Sequence, residues 1–310
     1  MALNTVRTKS VRSLTDSVIE LTLESAEGVP LPECAPGAHI ELTLPSGLRR
    51  QYSIVEMSAD RASCTIAVLR EENGRGGSQE LHEIAREGLE LPVEAIRNNF
   101  ALEEARAYCF IAGGIGVTPL IPMVREADRR GVPWTLHYGA RSRGHMAYAD
   151  EIVAEFGTDR VTLVPEDEAG MMDIASIVPA SAPEAIVYCC GPNGLIMAVE
   201  EATRQNHRAF RSERFSAEGV VQDVSADGSF LIELHSTGEV LEVPPDVSIL
   251  DVVLTVRPDH PWSCEEGFCG TCETGVLEGE PEHRGLIECE GNGMLICVGR
   301  SRSPRLVLDL

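Results

Sequence analysis

Residues 263–272 read SCEEGFCGTC, and this stretch decides the character of the C-terminal third of the chain. It places Cys264, Cys269 and Cys272 in the spacing C-x4-C-x2-C. Plant-type [2Fe–2S] sites have this spacing, because three thiolates from one loop must reach two adjacent irons. Gly267 and Gly270 keep the loop backbone close, so that its N–H groups can point at the sulfurs. The stretch therefore predicts an iron–sulfur site.

A structural zinc site is the alternative, since it also takes four thiolates. Zinc sites usually pair their cysteines two and two, and a triple followed by a single cysteine fits that pattern poorly. The fourth thiolate must come from Cys289 or Cys297. Cys297 lies in the apolar run 294–298, which can hold a ligand rigidly on a strand, whereas two glutamates flank Cys289. We favour Cys297 as the fourth ligand.

The chain as a whole is acidic and rich in cysteine. Its 310 residues include 26 Lys and Arg against 49 Asp and Glu, a net charge of −23. This surface would repel nucleic acid and anionic membranes, so neither is an expected partner. Ten cysteines occur without a secretory signal or a long apolar stretch. A cytoplasmic location is therefore expected, where free thiols stay reduced.

Three segments differ in their hydrophobic periodicity. Residues 18–23, 39–44 and 63–69 alternate apolar and polar side chains and predict an antiparallel barrel or sandwich. From about residue 105, apolar strands alternate with helical patterns, which predicts βαβ units and a parallel sheet. From about residue 220, a hairpin at 230–243 precedes a helix that Ser248 could cap, and the cysteine loop follows.

The sequence RQYS at 50–53 closes a strand and resembles the flavin motif R-x-Y-S of the ferredoxin reductase superfamily. An arginine can neutralise a phosphate, an aromatic ring can stack on an isoalloxazine, and a serine hydroxyl can hydrogen-bond near flavin N5. The predicted residues are Arg50, Gln51, Tyr52 and Ser53, of which Ser53 is also expected to be catalytic.

The sequence GRGGS at 74–78 leads into a predicted helix. Glycine-rich backbone at a helix N-terminus, with a cation and a hydroxyl nearby, suits a flavin phosphate. A flexible hairpin loop is the alternative. The predicted phosphate-binding residues are Gly74, Arg75, Gly76, Gly77 and Ser78.

The sequence AGGIGVTP at 112–119 follows a strand and opens a helix, so it can bind a pyrophosphate at the helix N-terminus. Its pattern GxGxxP differs from the Rossmann fingerprint GxGxxG and resembles the nicotinamide nucleotide motif of the same superfamily. The predicted residues are Gly113, Gly114, Gly116, Val117 and Thr118.

Two later motifs complete the predicted nucleotide site. In CCGPNG, at 189–194, the residues Cys190, Gly191 and Pro192 resemble the superfamily's Cys-Gly-Pro beside the nicotinamide, although Cys190 could be a small core residue. In YGARSR, at 138–143, Arg141 and Arg143 could grip a 2′-phosphate or could be solvated.

The sequence ERFS at 213–216 resembles the superfamily's E-x-F segment, which returns to the flavin before the linker. Glu213 is expected to line the hydride site, and Phe215 to cover the flavin ring. Both could simply anchor the linker.

The order of these motifs, with GEPEHRG at 279–285 and LVLDL at 306–310, resembles phthalate dioxygenase reductase-type proteins. These are the reductases of Rieske oxygenases and include vanillate O-demethylase reductases. The resemblance implies a multidomain fold: an antiparallel β-barrel flavin domain, an α/β parallel-sheet nucleotide domain and an α+β, β-grasp-like ferredoxin domain. The expected ranges are 1–103 for the flavin domain, 104–218 for the nucleotide domain, 219–226 for a linker and 227–310 for the ferredoxin domain.

The resemblance also implies cofactors and a partner. It favours FMN over FAD and NADH over NADPH, with electrons passing from NADH through FMN and the [2Fe–2S] cluster to a terminal Rieske-type oxygenase; a monomer is expected. Residues 225–310 hold 16 Asp and Glu against five Arg, a difference of −11, so this domain should dock on a basic surface. A redox-sensing module, a reductase with another acceptor, or a zinc-containing flavin reductase are the alternatives.

Overall fold

The computed structural model describes residues 4–72, 74, 76–215, 228–262, 264–287, 289 and 291–310. The chain divides into two compact units, one ending at Glu213 and the other beginning at Arg214. The first unit contains both a β-barrel and a parallel sheet. The predicted linker at 219–226 lies outside the described residues.

Six antiparallel strands close into a barrel in the spatial order β1-β2-β5-β4-β3-β6. Alternating side chains send one face inward, where Leu21, Ile40 and Ile66 are fully buried. The antiparallel prediction is confirmed, as a barrel and not a sandwich. The strands are β1 (Thr5–Ser13), β2 (Val18–Ser25), β3 (His39–Thr43), β4 (Arg49–Met57), β5 (Ser63–Leu69) and β6 (Glu90–Arg97), with helix α1 (Gly77–Ile84) between β5 and β6.

A parallel five-stranded sheet follows, in the order β11-β10-β7-β8-β9. Every residue of β7 is buried, as expected for a central parallel strand covered on both faces. The predicted α/β pattern is confirmed. The strands are β7 (Ala107–Gly113), β8 (Trp134–Ala140), β9 (Val161–Pro165), β10 (Ala185–Cys190) and β11 (Ala209–Glu213); the helices are α2 (Leu120–Arg129), α3 (Ala149–Phe156), α4 (Glu166–Ala169), α5 (Ile174–Ala180) and α6 (Asn193–Gln205).

The second unit is a mixed sheet in the order β13-β12-β18-β14-β16, with helix α7 packed on it. Ser248 caps α7, as predicted, and the structure shows that it does so in a capping box with Asp251. The parallel pair β12–β18 beside antiparallel neighbours gives the β-grasp-like fold. The elements are β12 (Phe230–Leu234), β13 (Glu239–Val243), α7 (Ile249–Val256), β14 (Glu273–Glu278), β15 (Pro281–Glu282), β16 (Gly293–Leu295), β17 (Arg300–Ser301) and β18 (Arg305–Leu308).

None of the helices in the described part of the chain has the length and apolar character that a membrane-spanning helix requires.

Candidate cofactor sites

The two predicted flavin motifs meet at Arg50 and Gly77. A Cβ atom added to Gly77 would lie 2.4 Å from Nε of Arg50, so the arginine side chain occupies the space that glycine leaves open. Gly76 precedes α1 in the left-handed conformation, at φ 84°, which a glycine adopts without strain. The cation of β4 therefore stands at the start of α1, where both favour a phosphate. Arg75 lies outside the described residues.

Other members of the flavin motifs are bound into the barrel wall. The Ser78 hydroxyl accepts a hydrogen bond of 3.1 Å from the backbone N–H of Glu71, which ties the glycine loop to the end of β5. Ser53 is buried in β4 and pairs with His39 of β3. Gly74 lies in the loop before α1. The two segments thus meet where Arg50 lies against Gly77.

Buried polar atoms without a partner lie on β3 and β4, the strands that carry and flank the first flavin motif. Among the described residues, the Tyr52 hydroxyl, Nε2 of Gln51 and Nε2 of His39 are buried and make no hydrogen bond. Burial raises the pKa of Tyr52 and lowers that of His39 to about 4, so both side chains are neutral at pH 7. Unpaired buried polar atoms are costly, and a polar ring system such as a flavin can pair them. The residues present fit a flavin.

His39 is a candidate that the sequence interpretation missed. Its only signal is a histidine within a strand whose neighbour, Ile40, points into the barrel. Its position opposite Ser53 depends on the register between β3 and β4, which local sequence does not reveal.

The two halves of the nucleotide motif are in direct contact. A Cβ atom on Gly116 would lie 2.3 Å from the carbonyl oxygen of Cys190, and one on Gly113 would lie 2.6 Å from Cδ of Pro192. Gly191 also packs against Gly113. Because only glycine permits such an approach, the ends of β7 and β10 form one crevice at the carboxyl edge of the sheet, where α/β proteins bind nucleotides.

Gly114 starts a short 3-10 turn at Gly114–Val117 with a positive φ of 54°. Val117 is fully buried and belongs to the core. Thr118 is also buried, and its hydroxyl donates to the carbonyl oxygen of Ile115 at 2.8 Å. In this structure the Thr118 side chain therefore stabilises the 3-10 turn that contains Gly114 and Gly116.

The carboxyl end of β10 carries two neutral acids side by side. Cys190 is fully buried, and burial raises the pKa of its thiol. Glu213 is its register partner on β11, and burial raises the pKa of that carboxyl to about 8. The buried Oε2 of Glu213 has no hydrogen-bond partner among the described residues. Cys189, which precedes Cys190, belongs to the core. The carboxyl group is thus available to a ligand in the crevice.

Phe215 follows in the second unit, with 38% of its surface exposed. Its predicted place over a flavin ring remains a prediction.

The two arginines of the 138–143 segment differ in their surroundings. Arg143 forms an ion pair of 2.6 Å with Asp150, whereas Arg141 is exposed. The backbone N–H of Asp167 donates to the Arg141 carbonyl oxygen, so the acidic helix α4 stands next to Arg141. The carboxylates of α4 would repel a 2′-phosphate bound at Arg141.

The four predicted cluster ligands converge in the second unit. The thiols of Cys269 and Cys297 hydrogen-bond to Cys264 and lower its pKa, and Cys297 also bonds to Cys272. Among the residues that the structure describes, no three Cys, His, Asp or Glu side chains already enclose one metal position. Four thiols joined in one chain of hydrogen bonds nevertheless supply the donor set that a [2Fe–2S] cluster takes. The residues present fit that cluster.

Glycines shape the loop around these thiols. Gly267 and Gly270 have φ of 74° and 78°, and a Cβ atom on Gly267 would lie 2.6 Å from Cγ2 of Val298. The backbone N–H of Glu266 approaches Sγ of Cys264 at 3.4 Å. Cys289 is close enough for its pKa to respond to Cys272, but burial is the larger cause that raises this pKa to about 11. The structure thus joins Cys297, and not Cys289, to the thiols of the loop.

Comparison with known proteins agrees with this geometry. Residues 232–300 match the 2Fe-2S iron-sulfur cluster binding domain, which favours iron over zinc. Tetrachlorobenzoquinone reductase of Sphingobium chlorophenolicum is 38% identical over 93% of this chain and 92% of its own. Vanillate O-demethylase oxidoreductase of Pseudomonas sp. (strain HR199 / DSM 7063) is 36% identical over 97% and 98%.

Two solved structures extend the likeness to the whole chain. An intact type IV self-sufficient cytochrome P450 monooxygenase matches with a TM-score of 0.86 and 34% identity over 99% of this chain, which spans 41% of that protein. Phthalate dioxygenase reductase, described as a modular structure for electron transfer from pyridine nucleotides to [2Fe–2S], matches with a TM-score of 0.75 and 32% identity over 99% of this chain and 97% of its own. The chain belongs to the phthalate dioxygenase reductase-type family.

Proposed function

We propose that this protein is an NADH-dependent reductase that delivers electrons singly, through FMN and a [2Fe–2S] cluster, to a Rieske-type aromatic oxygenase or demethylase. The observation that supports this most is the presence of two chemically distinct sites in one chain. A nucleotide crevice lies at Cys190 and Glu213, and a four-thiol site lies around Cys264. A carrier of electron pairs and a carrier of single electrons are what such a reductase needs.

When bound, FMN accepts a hydride and releases electrons one at a time, and the cluster carries one electron. The protein binds and positions these groups. Arg50, at the start of α1, would hold the FMN phosphate together with the backbone of Gly76 and Gly77. Tyr52 and Ser53 would orient the ring from β4.

At the crevice, Gly113, Gly116 and Gly191 would let the NADH pyrophosphate approach the backbone closely. Cys190 and Glu213 would line the place of the nicotinamide, both uncharged at pH 7 because they are buried. Oxidised nicotinamide carries a positive charge. Because Cys190 and Glu213 are uncharged, they would not retain it by charge attraction, so the oxidised nucleotide could dissociate. Hydride transfer requires a donor–acceptor approach of roughly 3–3.5 Å.

NADH is the proposed donor, and not NADPH. The ion pair of Arg143 with Asp150 and the acidic helix α4 beside Arg141 support this choice. A 2′-phosphate would have to compete with Asp150 and approach the carboxylates of α4.

The partner is proposed to be a terminal oxygenase that docks on the acidic second unit. Glu265 and Glu273 are exposed beside the cysteine loop and can meet a basic surface. Such redox encounters are small and transient, so a monomeric reductase suffices. The proposed location is the cytoplasm, where the ten cysteines of the chain would stay reduced.

Anaerobic titration with NADH tests the proposal. We expect bleaching of both flavin and iron–sulfur absorbance, and reduction of cytochrome c as a one-electron acceptor. Cys272→Ser should abolish cytochrome c reduction and spare flavin bleaching. Elemental analysis that finds zinc and no iron in the purified protein would contradict the proposed electron path. Cytochrome c reduction that survives the Cys272→Ser substitution would also contradict it. Boiling the protein and sizing the released flavin distinguishes FMN from FAD.

A further inference from the structure

Thr271 stands between the second and third cysteines of the loop. Its Oγ1 atom lies 3.3 Å from Sγ of Cys269, within hydrogen-bonding distance for sulfur. The approach to Cys264 is different in kind, since there the donor is a backbone N–H, that of Glu266. Thr271 is half-buried, so its hydroxyl is partly withdrawn from water. The loop therefore aims a side-chain hydroxyl at one proposed iron ligand.

The direction of this hydrogen bond depends on the state of Cys269. In the free thiol, the S–H group donates to Oγ1. A cysteine that binds iron has lost its proton and can only accept. The hydroxyl of Thr271 must then rotate and become the donor, and hydroxyl rotation costs little.

We propose that Thr271 raises the reduction potential of the [2Fe–2S] cluster by donating a hydrogen bond to the Cys269 thiolate. This inference rests on the proposed function, because it requires the cluster. Reduction adds one electron from the reduced flavin to an already anionic cluster. No iron–sulfur bond breaks, and the hydroxyl proton stays on Oγ1. A donor hydrogen bond stabilises the more negative state more strongly, so reduction becomes more favourable.

The preceding residue explains how the hydroxyl reaches its place. Gly270 has a φ of 78°, which turns the chain just before Thr271. Valine has nearly the same shape as threonine but lacks the hydroxyl, and serine keeps the hydroxyl without the methyl group. These two substitutions separate hydrogen bonding from packing.

The test is an EPR-monitored redox titration of the holoprotein and its variants. We expect Thr271→Val to lower the equilibrium constant for one-electron reduction of the cluster about three- to tenfold, or ~30–60 mV in midpoint potential. Thr271→Ala should lower it in the same direction and replaces the valine variant if that one fails to assemble a cluster. Thr271→Ser should keep the wild-type potential.

Thr274→Val is the matched control. Thr274 lies two residues beyond Cys272, and its hydroxyl bonds to the Cys272 carbonyl oxygen at 3.3 Å and not to a sulfur. We expect it to leave the potential unchanged. An unchanged potential in Thr271→Val and Thr271→Ala, a full shift in Thr271→Ser, or an equal shift in Thr274→Val would each overturn the proposal. A wild-type protein without the cluster's EPR signal would instead contradict the proposed function itself.

Discussion

Glu213 lies beside Cys190 in the parallel ladder that joins β11 to β10. Cys190 is fully buried and Glu213 is half-buried with its Oε2 atom shielded from solvent, and burial raises the pKa of each. Two adjacent groups that could each ionise are thereby kept neutral at pH 7. Ionising either would place a charge in a poorly hydrated crevice. This pair makes the pH dependence of the protein a test of the site.

The substitution Glu213→Gln should remove a pH-dependent loss of stability. The carboxyl has a folded-state pKa of about 8 against an ordinary value of 4.5, so the folded state holds the proton more tightly. Its contribution to stability is fully present below pH 4.5 and declines as the pH rises to 8, by up to about 1.4 kcal/mol per pH unit. We therefore expect the stability of Glu213→Gln to rise relative to that of the wild type as the pH increases from 4.5 to 8.

Thermal unfolding of wild type and variant from pH 5 to pH 8.5 measures this difference. Glu184→Gln, at an exposed glutamate, is the control and should run parallel to the wild type. Because the native carboxyl is already protonated at pH 7, the Gln variant should also bleach the flavin with NADH within about twofold of the wild-type rate. A stability difference that does not vary with pH would contradict the buried, protonated carboxyl.

A methyl group on Gly116 should disable the nucleotide crevice. The added Cβ would lie 2.3 Å from the Cys190 carbonyl oxygen and 2.6 Å from the Gly191 nitrogen, and backbone atoms cannot move aside cheaply. We expect Gly116→Ala to slow NADH-dependent flavin bleaching at least about tenfold and to lower stability by about 1–3 kcal/mol. Stopped-flow absorbance measures the rate.

Gly144→Ala is the matched control, since the nearest atom to its added Cβ is Oγ of Ser142 at 3.8 Å. This variant should bleach at the wild-type rate. Equal rates in Gly116→Ala and the wild type would show that the contact between the two motif halves does not shape the nucleotide site.

Local sequence predicted the elements on which these sites stand. The alternation of His39–Thr43 predicts β3, and Ser248 predicts the start of α7, because both signals lie within a few neighbouring residues. The glycine-rich motifs likewise predicted sharp turns next to strands. Strand β11 and the short helix α4 escaped prediction, since their patterns are brief and carry no cap or turn signal.

Relationships between distant residues could not be predicted in this way. The contact of Arg50 with Gly77 and the register of Glu213 with Cys190 depend on which strands become neighbours. Strand order follows from the packing of the whole core, as when β1 pairs with β6 to close the barrel. The functional roles of these residues were predicted from the family resemblance, whereas their contacts are seen only in the structure.

The substitution Arg50→Gln should weaken flavin binding, whereas Arg49→Gln should not. Arg50 packs on Gly77 at the start of α1, while Arg49, on the other face of β4, forms an ion pair of 3.4 Å with Glu94 of β6. Loss of a charged hydrogen-bond donor to phosphate costs about 1.5–3 kcal/mol, or about 10- to 100-fold in affinity. Arg49→Gln should stay within about twofold of the wild type.

Flavin fluorescence after ultrafiltration of serially diluted protein measures the dissociation constant for each variant. Equal losses in both variants would indicate a general effect of charge, and would remove Arg50 from the proposed phosphate site.

Electron delivery should slow as salt rises when the acceptor is basic. The second unit is strongly acidic, and screening at about 0.5 M salt shortens the reach of its charges to a few ångströms. We expect the rate of cytochrome c reduction to fall several-fold between low and high salt, and the rate with the anion ferricyanide to rise. A salt-independent rate with both acceptors would contradict electrostatic docking.

Paired substitutions can locate the docking face. Glu273 begins β14, next to Cys272, whereas Glu239 begins β13 at the opposite edge of the same sheet. Both are exposed glutamates. Glu273→Gln should slow cytochrome c reduction at low salt, and Glu239→Gln should have little effect. The reverse order would place the docking face away from the cysteine loop.

Cys297 and Cys289 compete for the role of fourth ligand, and the contacts favour Cys297. Its thiol hydrogen-bonds to those of both Cys264 and Cys272, while the pKa of Cys289 shows only a through-space effect of Cys272. We expect Cys297→Ser to lose the iron–sulfur absorbance and EPR signal and to reduce cytochrome c at least about 100-fold more slowly, because single electrons then have no carrier. Flavin bleaching by NADH should persist, since the flavin site lies in the other unit. Cys289→Ser, the matched control, should retain cluster, signal and rate; loss of the cluster in Cys289→Ser with retention in Cys297→Ser would exchange the two assignments.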